Sequence, residues 1–93
     1  MYVIAVYDIS TVVPAGQKRL ARIMKKMRQY LHHTQKSVFE GEISVAKLMA
    51  LQKEAKDIIN EETDYVVFFR IDNKKNVERA CIGIQLDPTE VII

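Results

Sequence analysis

Asp8 is the only acidic side chain among the first 39 residues, and it closes an apolar run, MYVIAVYD. A carboxylate at the end of a buried strand, just ahead of a loop, stands where α/β folds often place ligand groups. One carboxylate is a sparse metal site. Mg²⁺ keeps several of its waters, however, so one or two carboxylates suffice when a phosphate joins them. A metal held there could activate water and neutralise a phosphodiester. A two-fold axis through an assembly of two chains would supply a second Asp8. Asp8 is therefore the candidate catalytic and metal-binding residue, with Mg²⁺ as candidate cofactor. An aspartate in this position also serves as an ordinary turn or cap residue.

The second chemical feature is a run of cations. Lys18, Arg19, Arg22, Lys25, Lys26 and Arg28 fall within eleven residues that contain no acid. A solvated helix face usually mixes signs, and this one does not. Arg19 and Arg22 lie one helical turn apart, as do Arg22 and the Lys25–Lys26 pair. Lys18, Arg19, Arg22, Lys25 and Lys26 could thus meet successive phosphates without reading a base sequence.

Other reactive side chains offer less. His32 and His33 are adjacent, so they diverge on any regular element, and no second histidine or cysteine stands at zinc-ligand spacing. His33 retains a surface or proton-donor role. Tyr7 and Phe39 read first as core aromatics. Cys81 is the one cysteine. It lies in an apolar stretch with no base nearby to activate it, and is expected to be buried and inert. No phosphate-cradling glycine motif occurs.

The elements that must position these groups follow from periodicity. Residues 1–8 form a near-continuous apolar run, a buried strand. Residues 10–17 are a loop punctuated by Pro14 and Gly16. From Gln17 to Leu31, Leu20, Ile23, Met24, Met27 and Leu31 make one helix face, with the cations mostly opposite. Thr34–Glu42 alternates like an edge strand, with Gly41 able to bend its end. Ser44 is a plausible N-cap for a helix running to Asn60, whose buried side is Val45, Leu48, Met49, Leu51, Ala55, Ile58 and Ile59. Asp64–Ile71 is a second central strand and DNKKN a turn. Val77–Gln85 is a further strand, and residues 86–93 are an extended tail. Splitting the Thr34–Ile43 stretch in two converts this order to the ferredoxin-like one.

Length and composition fit a single α+β domain over 1–93, a two-layer sandwich. The 93 residues are 48% hydrophobic and 28% charged, with a net charge of +2. That small value hides an asymmetry. Residues 1–36 hold seven Lys/Arg and one acid, whereas residues 37–93 hold seven and eleven. Such a dipolar chain suggests one basic face for a polyanion. A lone cysteine and no visible signal segment fit a reducing cytoplasm, and no apolar run is long enough to span a membrane. Both expected central strands are apolar on their two sides. Two helices cover one face of such a sheet, so the other needs a cover, and a second copy is the simplest one. The expected form is a homodimer through the open sheet face, with the apolar tail able to extend the partner's sheet.

Three segments together resemble a known family: VIAVYDIS, KRLARIMKKM and, above all, TQKSVFEGEIS. The chain is similar to the small CRISPR-associated protein of the spacer-acquisition machinery, the "Cas two" family, over most of its length. The resemblance implies a ferredoxin-like homodimer and a role as scaffold for duplex DNA between integrase dimers. For some members it implies a Mg²⁺-dependent endonuclease acting on RNA or DNA. Asp8 falls on the family's metal aspartate, and Tyr7, Ser10, Arg19 and Phe39 fall on positions linked to activity or binding. Where the family often has Tyr-Gly and then an arginine, this chain reads YLHHTQ, with Leu31 for the glycine and His33 for the arginine. A nuclease mechanism that requires that arginine is thereby weakened. A small-molecule sensor on the same fold is the third reading, and the basic helix argues against it.

Overall fold

The computed structural model describes residues 1–83. Its elements are β1 (Tyr2–Asp8), α1 (Pro14–Arg28), β2 (His32–Gln35), β3 (Val38–Glu42), α2 (Val45–Ile58) and β4 (Tyr65–Ile71), followed by a short 3-10 turn at Lys74–Asn76. The four strands form one sheet in the order β2-β3-β1-β4, and every neighbouring pair is antiparallel. β1 is therefore parallel to β2, and β3 to β4. Each helix joins two parallel strands that flank a third, which is the ferredoxin-like α+β topology.

The helices pack on one face. Val3, Ala5 and Tyr7 of β1 and Phe39 of β3 meet Ile23, Met27, Leu48, Leu51 and Ala55 in a continuous core. Residues of β1 alternate, so Ile4 and Val6 point to the other face. There their cross-strand partners are Glu40 and Phe69, and Val38 and Val67. Phe69 and Tyr65 are 52% and 54% exposed. The two-sided apolar pattern thus leaves an open apolar face on the single chain.

Several boundaries differ from the sequence expectation. Thr34–Glu42 is not one edge strand but a hairpin, with Lys36 and Ser37 as its turn. The alternation continues across the turn, so period alone does not reveal it. β3 is a central strand, and β4, expected to be central, is an edge among the described residues. Helix α1 starts at Pro14, not Gln17, because proline is well placed at a first helical position, where no N–H is needed. Ser44 does cap α2, accepting from the Lys47 backbone N–H at 3.2 Å. On α2, Leu48, Leu51, Ala55 and Ile58 make the buried seam, while Val45 and Met49 face outward. The buried stripe is narrower than the apolar pattern predicts.

The segment 77–83 is not a strand. Arg79 of this segment reaches the Glu40 carboxylate of β3, and residues 78–83 are exposed, with no ladder partner among the described residues. Cys81 is exposed, not buried. The end of the expected last strand and the tail 86–93, with its expected pairing, lie outside the described residues.

Candidate functional site

The C-terminal end of β1 gathers most of the candidate residues. Asp8 ends β1 opposite Tyr65 in register. It is exposed and has no hydrogen-bond or ion-pair partner among the described residues. An unpaired, solvent-facing carboxylate keeps all its lone pairs for a cation. Among the described residues no three His, Cys, Asp or Glu side chains lie close enough together to hold a metal. Within one chain Asp8 thus fits Mg²⁺ only as a single ligand, which leaves the other positions to water, a phosphate or a second chain.

Tyr7, His33 and Phe39 come together on the helix side of the same end. Phe39 is fully buried and stacks on the His33 ring, with centroids 4.3 Å apart and planes 8° apart. Tyr7 lies 6.1 Å from Phe39. The Tyr7 hydroxyl donates to the Lys36 carbonyl at 2.9 Å, and His33 Nε2 lies 3.2 Å from the same oxygen. These three residues fix the β2–β3 turn against β1. Burial pushes the Tyr7 phenol up, against a smaller opposing effect of Arg28. It is a buried hydrogen-bond donor with a packing role.

The cations of α1 divide into two groups. Lys18, Arg22, Lys25 and Arg28 are exposed, and Lys18, Arg22 and Lys25 recur at spacings of four and three, along one helix face. Lys26 turns toward α2, 3.7 Å from Glu54, and donates to Gln29 at 3.3 Å. Arg19 is committed inward. Its Nε donates to Asp64 Oδ2 at 2.8 Å, with side chains 17% and 0% exposed. The structure therefore gives Arg19 an internal partner where the charge pattern suggested a phosphate contact.

Sequence reasoning misses Asp64. It sits directly before β4 and accepts from four groups. Besides Arg19 these are the backbone N–H of Ser10 at 2.9 Å, that of Asn60 at 3.0 Å and the Thr63 hydroxyl at 3.0 Å. Burial alone would raise its carboxyl. The Arg19 hydrogen bond, with those from Asn60, Ser10 and Thr63, outweighs burial and holds it well below the usual carboxylate range. Ser10 enters the site through its backbone. The signal in the sequence is slight: an acid at a strand entrance, indistinguishable from a turn residue.

Glu40 is a second buried carboxylate, on the open face. Tyr2 donates to it at 2.6 Å and Thr34 at 3.0 Å, and Arg79 pairs with it. Burial opposes its ionisation, yet Arg79, Tyr2 and Thr34 lower the carboxyl below its ordinary value.

Known proteins share both this sequence and this topology. The family model for CRISPR associated protein Cas2 matches residues 1–79. A CRISPR-associated endoribonuclease Cas2 from Dictyoglomus turgidum is 41% identical over 93 residues and is covered along its full length, as is this chain. A relative from Moorella thermoacetica, CRISPR-associated endoribonuclease Cas2 2, is 39% identical over 87 residues, 94% of this chain and 96% of its own. Among solved structures, a crystal structure of Cas2 superposes with a TM-score of 0.80 at 38% identity, covering 100% of this chain and 98% of the other. Streptococcus pyogenes Cas2 at pH 6.5 gives 0.73 at 32%, covering 87% and 100%. Identity at this level over whole chains, on the same topology, shows that the chain belongs to the Cas2 family of CRISPR-associated proteins.

Proposed function

We propose that the protein works as a homodimer that grips the backbone of duplex DNA, as a scaffold between integrase dimers in CRISPR spacer acquisition. The observation that carries this reading is the exposed, unpaired line of Lys18, Arg22 and Lys25 on α1. These cations have no acidic partner among the described residues, so phosphates are their natural counter-ions. The open sheet face of Ile4, Val6, Val38, Val67 and Phe69 supports the second copy. The integrase partner rests on family membership, and the cytoplasm is the compartment in which a CRISPR protein with one reduced cysteine would work. No helix among the described residues is long and apolar enough to cross a membrane.

The test is a salt series of duplex binding. Replacing Lys18 and Arg22 by Gln should weaken binding equally across sequences. It should also flatten the salt slope by about 0.9 for each phosphate that the variant no longer neutralises. Unchanged affinity and slope would remove the basic face from the function. Sedimentation at micromolar concentration should show a dimer, and a stable monomer would contradict the assembly.

Asp8 favours a second reading, Mg²⁺-dependent endonucleolytic cleavage, and several relatives bear the name endoribonuclease. In this reading Asp8 would help hold a divalent ion, which supplies charge neutralisation for a phosphodiester when bound. In a two-fold assembly both copies of Asp8 would matter. Asp8→Asn keeps the shape and removes the charge, so it should abolish cleavage and spare DNA binding. Full-rate cleavage in the variant, or in excess chelator, would exclude Asp8. Loss of binding along with cleavage would make Asp8 a structural residue.

A further inference from the structure

Arg19 and Asp64 stand beside Asp8 without touching it, and their contacts connect three parts of the chain. Asp64 lies at the mouth of β4, next to Tyr65, the cross-strand partner of Asp8. Its Oδ1 holds the N–H of Ser10, two residues after Asp8, at 2.9 Å. Its Oδ2 holds Arg19 from α1 and the N–H of Asn60, two residues beyond α2. The loop between Asp8 and α1 is confined on its other side as well. A Cβ on Gly16 would lie 1.9 Å from the Ser10 carbonyl oxygen, so the first turn of α1 presses directly on the Ser10 backbone. Ser10 is thus fixed through both its N–H and its C=O side, while the carboxylate of Asp8, two residues before it, is exposed and has no bonding partner among the described residues.

We infer that Arg19 and Asp64 form a positioning pair for the Asp8 end of the site, and that Arg19 acts through Asp64, not on the nucleic acid. A carboxylate that binds a cation with few other protein ligands depends on where its backbone holds it. The buried pair supplies that fixed backbone from below. This inference rests on the reading of Asp8 as a cation ligand, and it assigns Arg19 a role opposite to that of Arg22. Arg22 meets phosphate directly; Arg19 holds the loop.

The experiment uses the homodimer, with Mn²⁺ alone as the probe. Paramagnetic broadening of the Asp8, Ile9 and Ser10 amide signals reports Mn²⁺ affinity at this strand end. Arg19→Gln removes a nearby positive charge, so Coulomb's law alone predicts tighter Mn²⁺ binding. Positioning predicts the reverse, a several-fold weaker affinity, with the rest of the spectrum retained. Equal or tighter binding in Arg19→Gln would overturn the inference. No broadening in the wild type would instead overturn the metal reading of Asp8, a distinguishable failure that the inference would share. A second arm needs no mutation and covers an unfolded Arg19→Gln. On adding duplex DNA to the wild type, the Arg22 Nε–H signal should move while that of Arg19 stays in place. Equal displacement of both would show that Arg19 touches the nucleic acid and would overturn the inference.

Discussion

Asp8 and Asp64 stand at the same end of the sheet, one at the exit of β1 and one at the entrance of β4, and their surroundings are opposite. Asp8 is exposed and free of partners among the described residues. Asp64 has a side chain with 0% exposure and four donors aimed at its two oxygens. The contrast separates two uses of one chemical group. An exposed carboxylate without protein partners gives its lone pairs to water and leaves them open to a ligand. A carboxylate that organises backbone gives its lone pairs to the protein, and then ionises more readily despite burial.

Truncating Asp64 puts this contrast under the greatest load. Asp64→Ala strands the Arg19 guanidinium and leaves the N–H groups of Ser10 and Asn60 without their acceptor. Removing one partner of a buried pair costs about 3–5 kcal/mol. Chemical denaturation at fixed protein concentration should show a loss of that order. A loss below about 1 kcal/mol, the range of an exposed pair, would mean that Asp64 is not the hub described.

Acid should expose the same difference. The folded carboxyl of Asp64 is depressed, so its contribution to stability is complete above the ordinary aspartate value, about 4. Below that, the unfolded chain takes up a proton that the folded chain refuses, and stability falls as the pH drops toward the folded value. Denaturation midpoints of the wild type should decline below about pH 4, and Asp64→Asn should flatten the decline. An equally steep decline in the variant would assign the acid sensitivity to other carboxylates, of which Glu40, also depressed, is the first.

Glu40 carries the contrast to the open face. Glu40→Gln keeps an acceptor for Tyr2, turns the oxygen that Thr34 meets into an NH2 donor, and loses the charge that meets Arg79. The expected cost is about 1–3 kcal/mol, read by the same denaturation. A change near zero would mean that the Arg79 ion pair contributes little. Asp8→Asn should be the mildest, within about 0.5 kcal/mol as for an exposed residue without partners. A larger destabilisation would place Asp8 in the architecture beside Asp64.

Much of the fold can be read from the chain. The apolar run of β1, the helix faces of Ile23 with Met27 and of Leu48 with Leu51, and the Ser44 cap are local signals, each set within a few residues. Asp8 stands out because acids are absent around it, and the α1 cations because their signs do not mix. The β2–β3 hairpin is hidden, because its turn holds no Gly or Pro. It is fixed instead by distant groups, above all the Tyr7 hydroxyl on the Lys36 carbonyl, across 29 positions.

The amphipathic elements and the total charge on each are thus written in the chain alone, since side-chain period and sign are local properties. Which of those charges remain available is settled only by the folded arrangement. Arg19 and Arg22 are the same residue type one turn apart, and nothing near them in sequence tells them apart. Arg19 is neutralised by an acid 45 positions away, brought to it when β4 pairs with β1. Arg22 meets no such partner among the described residues. An ion pair depends on distance through space, and that distance is set by the pairing of strands far apart along the chain.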